Sequence, residues 1–491
     1  MSKLSKLATG VRWGTVSLVV ITSFQLVFMA VMARLLDPAD FGLVAIANVA
    51  LRFYSYFSQM GIAPALIQKK TLTDGDVRAA LSISLGVSSL FFLLAVLTSE
   101  FIGSFFDMKS LALVMQVLAL NFIVSGLSAI SLSLMRRNSK FKALAIIEII
   151  SYVLGYGVVG IGFAYSGAGV WSLVAAFLSQ MIVTAILSYS VVRFPIKFKH
   201  AKEDRKHLIN YGGSYSIVGF FEFLFCNIDA LIIGKIMGAT TTGYYSRALL
   251  LANLPVQHPA NILTKALFPI MSSVSNELDK QSISVQLSVL LVGSYAFAVS
   301  VGVYLASSDI VRVLLGDKWL ESIPILNILT FSVGPVFVHH IISVTLNSMG
   351  ELKIKMLIQI PTFVLLAILI ILAAQTEDVL NIALAVVVVE WVRVCIFSWV
   401  IIRMLKIPVK NIIKIILSIV VVIMTTGGLI YAVQHLVSKD LSVTIILSVK
   451  IIFGTIGLGL GLFVSRYIVY QLPAVIYLAD RMPVFAKIMR F

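Results

Sequence analysis

VRAALSISLGVSSLFFLLAVLTS (77–99) is a run of 23 residues in which Arg78 is the only charged side chain. As a helix rising about 1.5 Å per residue it would be about 35 Å long, enough to cross a hydrocarbon core about 30 Å thick. The run is typical of the whole chain. Of 491 residues, 59% are hydrophobic and 12% charged, and the mean hydropathy is +1.02. That balance leaves too little polar surface for a water-soluble protein of this size.

Working outward from 77–99, comparable runs bounded by charge or turn residues recur about fourteen times. The first six are expected at 11–34, 40–66, 77–99, 111–135, 143–165 and 168–192. The next six fall at 207–235, 240–273, 282–307, 322–348, 354–374 and 379–402, and the last two at 411–434 and 441–465. The remainder, Arg466–Phe491, mixes Tyr, Pro and basic residues and reads as an interfacial tail. The expected fold is all-α and polytopic, with about 14 transmembrane helices. Two pseudo-symmetric six-helix lobes would occupy 1–200 and 201–406, followed by two C-terminal helices in 407–466 and the tail in 467–491.

Lys and Arg concentrate on the cytoplasmic side of membrane proteins, which tests this segmentation. With the N-terminus inside, 27 of the 38 basic residues fall in cytoplasmic loops and 6 in outside loops. Both termini are therefore expected in the cytoplasm. The net charge of +16 is spread over short loops beside the membrane, which reads as lipid anchoring and not as a nucleic-acid surface. The longest loops, 193–206 and 308–321, cannot hold a catalytic domain. No Gly-rich phosphate loop is present, so no ATP or other cofactor is expected. His is scarce and unclustered, which offers no metal site, and Cys226 and Cys395 lie within expected spans, where a structural disulfide is not anticipated. The first apolar run is too long for a cleaved signal and reads as a retained helix.

A weak internal repeat aligns ARLLDPADFGLVAIA (33–47) with GKIMGATTTGYYSRA (234–248) at an offset of 201, pairing Arg34 with Lys235 and Gly42 with Gly243. Both are outside turns between an odd and an even helix, six helices apart. Such an offset implies parallel repeats about an axis along the membrane normal, and alternating access by rocking of one half against the other.

An ion in hydrocarbon is expensive unless it meets water, a partner or a substrate. With the cations at the span ends, Arg78 among them, counted with the loops, five basic residues remain within the spans: Arg52, Arg247, Lys265, Arg393 and Lys450. Glu148, Glu222, Asp229 and Glu390 are the acidic ones. Asn48, Arg52, Tyr56 and Gln59 form a polar stripe on helix 2, and Arg247, His258, Asn261 and Lys265 fall near one face of helix 8. Arg52, Arg247, Lys265, Asn48, Gln59 and Asn261 are thus candidate substrate ligands, although Arg247 and Lys265 are also placed to snorkel to the interfaces. Glu222 and Asp229 stand as ion-coupling groups or as partners of the arginines. Glu390 and Arg393, three apart, read as a neutralising pair, and no role follows for Lys450 or Glu148. Pro255, Pro259 and Pro269 mark helix 8 as bent or broken.

The stretches ARLLDPADFGLVAIANVALRFYSYFSQMGIAPALIQKK (33–70) and NIDALIIGKIMGATTTGYYSRALLLANLPVQHPANILTKALFPIMS (227–272) resemble the polysaccharide exporters of the multidrug/oligosaccharidyl-lipid/polysaccharide superfamily. The most specific elements are Leu36-Asp37-Pro38 with Phe41-Gly42, Asn227-Ile228-Asp229, and Gly243-Tyr244-Tyr245-Ser246. The likeness is to the branch of colanic acid and teichuronic acid exporters, Wzx-type flippases of lipopolysaccharide and exopolysaccharide biosynthesis. It implies no enzyme activity. It implies a multi-pass protein of the bacterial inner membrane that translocates an undecaprenyl-diphosphate-linked oligosaccharide through a cationic cavity, alongside a polysaccharide polymerase and a chain-length regulator. A diphosphate suits Arg52, Arg247 and Lys265. Two alternatives stand: a cation-coupled multidrug antiporter of the same superfamily, which would want an acidic cavity, and a membrane glycan polymerase or ligase, which would want a large outside loop.

Overall fold

The computed structural model describes residues 3–58, 66, 72–194, 223–273, 277–437, 441–470, 472 and 475, the side chains of 3–9, 11, 56–58, 258 and 260–273 excepted. All the regular structure among them is helical: α1 Lys3–Leu35, α2 Pro38–Ser58, α3 Asp74–Phe105, α4 Lys109–Arg137, α5 Phe141–Tyr165, α6 Val170–Val191, α7 Ile228–Ser273, α8 Leu278–Leu314, α9 Ser322–Ser348, α10 Leu352–Ala374, α11 Val379–Met404, α12 Val409–Leu436 and α13 Val443–Val469. Twelve helical segments among the described residues are long and apolar enough to cross a membrane. The 21-residue α2 is of spanning length but carries Asp40 and Arg52. The expected lobe boundary at 200/201 and most of expected helix 7 lie outside the described residues.

By contact the chain divides into two compact units, Met1–Ser246 and Arg247–Phe491. In the first, α3 packs along α4, and α4 along α6. Ile46, Ala47 and Leu51 of α2 join Leu111, Met115, Leu118 and Phe122 of α4 in a shared core. The middle of α5 is a π-helix, Val153–Gly160, and Gly155 lets its backbone lie against that of Gln180 on α6. In the second unit, α12 and α13 form a closely packed pair, and α8 contacts both. Phe397, Ile401 and Val394 of α11 pack with Val338 and Ile342 of α9.

Proline removes a backbone N–H and frees the carbonyl four residues earlier, which in lipid needs a new donor. Two such carbonyls are satisfied by aromatic side chains. Tyr295 Oη donates to Pro255 O at 2.9 Å, the acceptor that Pro259 leaves free, and Trp391 Nε1 donates to Phe331 O at 3.1 Å, the one that Pro335 leaves free. The backbone stays helical through Pro255, Pro259 and Pro269. The break in α7 lies instead at Gly238, whose φ of 81° and ψ of −178° belong to no helix.

Candidate functional site

The break at Gly238 decides the local geometry. Asp229 and Tyr245 are 16 residues apart, about 24 Å along a straight helix, yet Tyr245 Oη donates to Asp229 Oδ2 at 2.5 Å. The chain therefore doubles back at Gly238, where the sequence expects the turn between helices 7 and 8. Asp229 sits in the first turn of α7, whose free N–H groups and dipole favour a carboxylate, and its Oδ1 accepts from the Ala230 N–H at 2.8 Å. Asp229 is 5% exposed and Tyr245 fully buried. A buried carboxylate must find donors, and here a phenol and a main-chain amide supply them.

The second arm of α7 meets the start of α2 through glycine. A Cβ on Gly42 would fall on the carbonyl oxygen of Ala239, and one on Gly243 would fall on that of Pro38. Pro38 and Ala239, like Gly42 and Gly243, are equivalents at the offset of 201. The contact is thus reciprocal, as a two-fold relation between the repeats requires, with small residues allowing the backbones to touch. Nearby, Lys235 Nζ pairs with Asp107 Oδ2 at 2.7 Å.

The rotation of α2 is fixed from two sides. Ala47 and Leu51 are buried in the core, and Tyr54 Oη and Thr98 Oγ1 of α3 share a hydrogen bond of 2.7 Å. Asn48 and Arg52, one turn apart, consequently share a different face, Asn48 half-buried and Arg52 exposed. Arg52 makes no ion pair with a described residue. Beside it Phe53, also exposed, faces Phe223 at 6.3 Å.

Among the sequence-predicted residues, the structure brings Asn48 and Arg52 onto one face and gives Asp229 a tyrosine partner. Arg247 is half-buried on α7. Gln59 and Glu222, and the side chains of Asn261 and Lys265, lie outside the described residues. The remaining charges in the spans are engaged within their own units. Ser17 Oγ donates to Glu148 Oε2 at 2.9 Å. Arg393 Nη1 lies 3.4 Å from Glu390 Oε1, and His339 Nδ1 3.8 Å from Glu390 Oε2, all three side chains buried. Lys450 Nζ lies 2.7 Å from Asp309 Oδ2. Sequence reasoning missed Tyr245, His339 and Asp309. Tyr245 alone carried a signal, its place in the Gly-Tyr-Tyr-Ser motif. Neither cysteine forms a disulfide.

Known proteins resemble this chain in sequence and in fold. A family model described as "Polysaccharide biosynthesis protein" matches residues 31–324. The lipopolysaccharide biosynthesis protein WzxC of Escherichia coli (strain K12) is 24% identical over 332 residues, 67% of this chain and 67% of that protein. The teichuronic acid biosynthesis protein TuaB of Bacillus subtilis (strain 168) is 24% identical over 331 residues, 66% of this chain and 67% of its own. Among solved structures, the lipid II flippase MurJ in an inward closed conformation superposes with a TM-score of 0.68 at 16% identity, covering 90% of this chain and 97% of that one. An inward-facing multidrug resistance transporter of the MATE family gives a TM-score of 0.61 at 15% identity, covering 79% and 95%. At these identities the structural likeness establishes a common fold.

Proposed function

The chain belongs to the polysaccharide biosynthesis protein family, and from that premise we propose that it carries a lipid-diphosphate-linked oligosaccharide from the inner to the outer leaflet of the bacterial cytoplasmic membrane. Its work is transport and not catalysis. The observation that carries the reading is Arg52, a cation exposed on a long, largely apolar helix with no ion-pair partner among the described residues. Such a position is costly unless water or an anion faces it, and a guanidinium matches a diphosphate in a forked, two-point contact. Arg247 and Lys265 would add charge to the same headgroup, and Asn48, Gln59 and Asn261 would hydrogen-bond sugar hydroxyls. A cationic residue at 52 opposes the multidrug reading, since a site for organic cations would be acidic.

Access would alternate by rocking of lobes 1–200 and 201–406 about the outer end of the molecule, with both termini in the cytoplasm. The reciprocal glycine contact supports such a motion, because two flush backbones part without disengaging side chains of their own, and the Lys235–Asp107 pair beside them is exposed and therefore weak. Glu222 and Asp229 are the proposed coupling groups. A proton or cation arriving at Asp229 would compete with the Tyr245 hydroxyl and so loosen the two arms of α7. A polysaccharide polymerase and a chain-length regulator are the partners expected to act on the product.

The test compares cells lacking this chain with cells complemented by wild type or by Arg52→Ala, measuring surface glycan and the lipid-linked unit on each leaflet. Loss of glycan with cytoplasmic accumulation of the unit, rescued by wild type and not by Arg52→Ala, is the expected result. Unchanged glycan with altered drug sensitivity would overturn it in favour of the antiporter, and accumulation on the outer leaflet in favour of a polymerase. If Glu222→Gln with Asp229→Asn leaves transport and its ion dependence unchanged, the coupling role fails.

A further inference from the structure

The Arg247–Phe491 unit contains a cavity of about 450 Å³, within the range of roughly 300–1,000 Å³ typical of small-molecule sites. Four helices build it at one end of the bundle. Tyr304, Ser308 and Asp309 come from the last turns of α8, Asn327 from the second turn of α9, Gln434 from the last turn of α12 and Lys450 from the second turn of α13. This is the end of the loops 308–321 and 437–442, which the distribution of Lys and Arg assigns to the outside of the cell.

The ammonium of Lys450 is spent within the cavity wall. Its three donors meet Leu305 O at 3.1 Å, Asp309 Oδ2 at 2.7 Å and Gln434 Oε1 at 3.5 Å, so no N–H remains for a guest. Its charge is neutralised by Asp309, and the cavity accordingly has no net attraction for a phosphate. What faces the space instead is a set of neutral hydrogen-bonding groups beside an aromatic ring. Asn327 also lines the wall, its Oδ1 itself sealed from solvent and without a hydrogen-bond partner among the described residues. Gln434 is exposed, with its amide oxygen turned to Lys450 and its NH₂ left to donate. Tyr304, 43% exposed, is propped by Phe331 at 5.4 Å.

A guest for this cavity must be uncharged, must both donate and accept hydrogen bonds, and must offer an apolar face to a tyrosine ring. A pyranose does all three, with hydroxyls around its rim and C–H bonds on its face. We propose that the cavity lined by Tyr304, Asp309, Asn327, Gln434 and Lys450 is a carbohydrate subsite at the outer end of this unit. It receives a neutral sugar of the translocated oligosaccharide. The proposal rests on the transport reading and adds to it a site for the glycan separate from Arg52. A glycerol headgroup of a phospholipid presents similar hydroxyl chemistry, and the experiment separates the two.

The test uses the full chain in phosphatidylcholine nanodiscs and saturation-transfer NMR. The probe is the repeat-unit oligosaccharide released from the cells' own surface polysaccharide, without lipid or diphosphate. Wild type is expected to transfer saturation to sugar ring protons. Asn327→Leu and Tyr304→Ala should lower that transfer at least fivefold. Should Asn327→Leu fail to fold, Ser308→Trp, at an exposed position of the wall, fills the cavity without touching the core and must give the same loss. Equal transfer from wild type and these variants, or none from wild type, overturns the subsite. So does loss of the wild-type signal on adding phosphatidylglycerol, which would assign the cavity to a lipid headgroup. Leaflet distribution of the lipid-linked unit in cells is read separately. If it is unaffected by deleting the chain, the transport reading falls whatever the sugar does. If it responds while the NMR signals do not, only the subsite falls.

Discussion

Arg52 and Arg393 are the same side chain in the same kind of element, a long helix rich in apolar residues, and they are treated in opposite ways. Arg393, on α11, is 2% exposed and lies against Glu390, with His339 on the far side of the carboxylate. Arg52, on α2, is held out from the core by the burial of Leu51 and the Tyr54–Thr98 bond. Hydropathy alone ranks the two alike, whereas their surroundings give them different work. A charge neutralised at close range is part of the scaffold, and one presented without a partner is available to a substrate. The same contrast separates Lys450, saturated by three acceptors, from Arg52.

The sharpest way to break this comparison is to orphan the buried charge. Glu390→Ala should destabilise the protein by about 3–5 kcal/mol, because the Arg393 guanidinium is left in the interior with its carboxylate gone. Replacing both residues by Leu should recover most of that loss, as measured by chemical denaturation in detergent. A single variant as stable as wild type would mean the pair is solvated after all. Next in size are Gly42→Ala and Gly243→Ala, each forcing a Cβ onto a backbone carbonyl that cannot rotate away. Each is expected to cost up to about 3 kcal/mol, and the two should match because the contact is reciprocal. Clearly unequal losses would argue against a two-fold relation between the repeats. Tyr245→Phe deletes the hydroxyl donated to Asp229 while keeping the ring, at an expected cost of about 1.5–2 kcal/mol in thermal unfolding. The smallest effect on stability belongs to Arg52→Ala, within about 0.5 kcal/mol of wild type, since no described residue loses a partner. Its effect on transport should nevertheless be tenfold or more, measured as surface glycan per molecule of protein. If Arg52→Ala instead unfolds the protein, Arg52 belongs with Arg393 among the scaffold charges.

Much of the candidate site was legible as residue type and little of it as geometry. That Asn48 and Arg52 share a face of helix 2 was readable because residues four apart on one helix do so whatever surrounds them. Glu390 and Arg393 were readable as a pair for the same reason, being three apart on α11. The partner of Asp229 was not, because Tyr245 comes near only after Gly238 reverses the chain. Nor was Asp309 for Lys450, since 141 residues separate them and their meeting depends on how α8 and α13 pack. The weak repeat at an offset of 201 pointed to Gly42 and Gly243 as equivalents. That they lie against each other's turns required the structure.

Composition, run length and the placement of Lys and Arg determined by themselves that this is an all-α, multi-pass membrane protein. Insertion into a bilayer is settled segment by segment, over about 20 residues at a time, and that information is local. The tertiary structure alone decided which buried charges are neutralised, which carbonyls freed by proline find a donor, and which polar groups are left facing a cavity. Those outcomes turn on contacts of 3–4 Å between helices far apart in the chain. A hydrophobic pattern sets the face a helix buries, and the partner of each ion is set only when the faces are packed together.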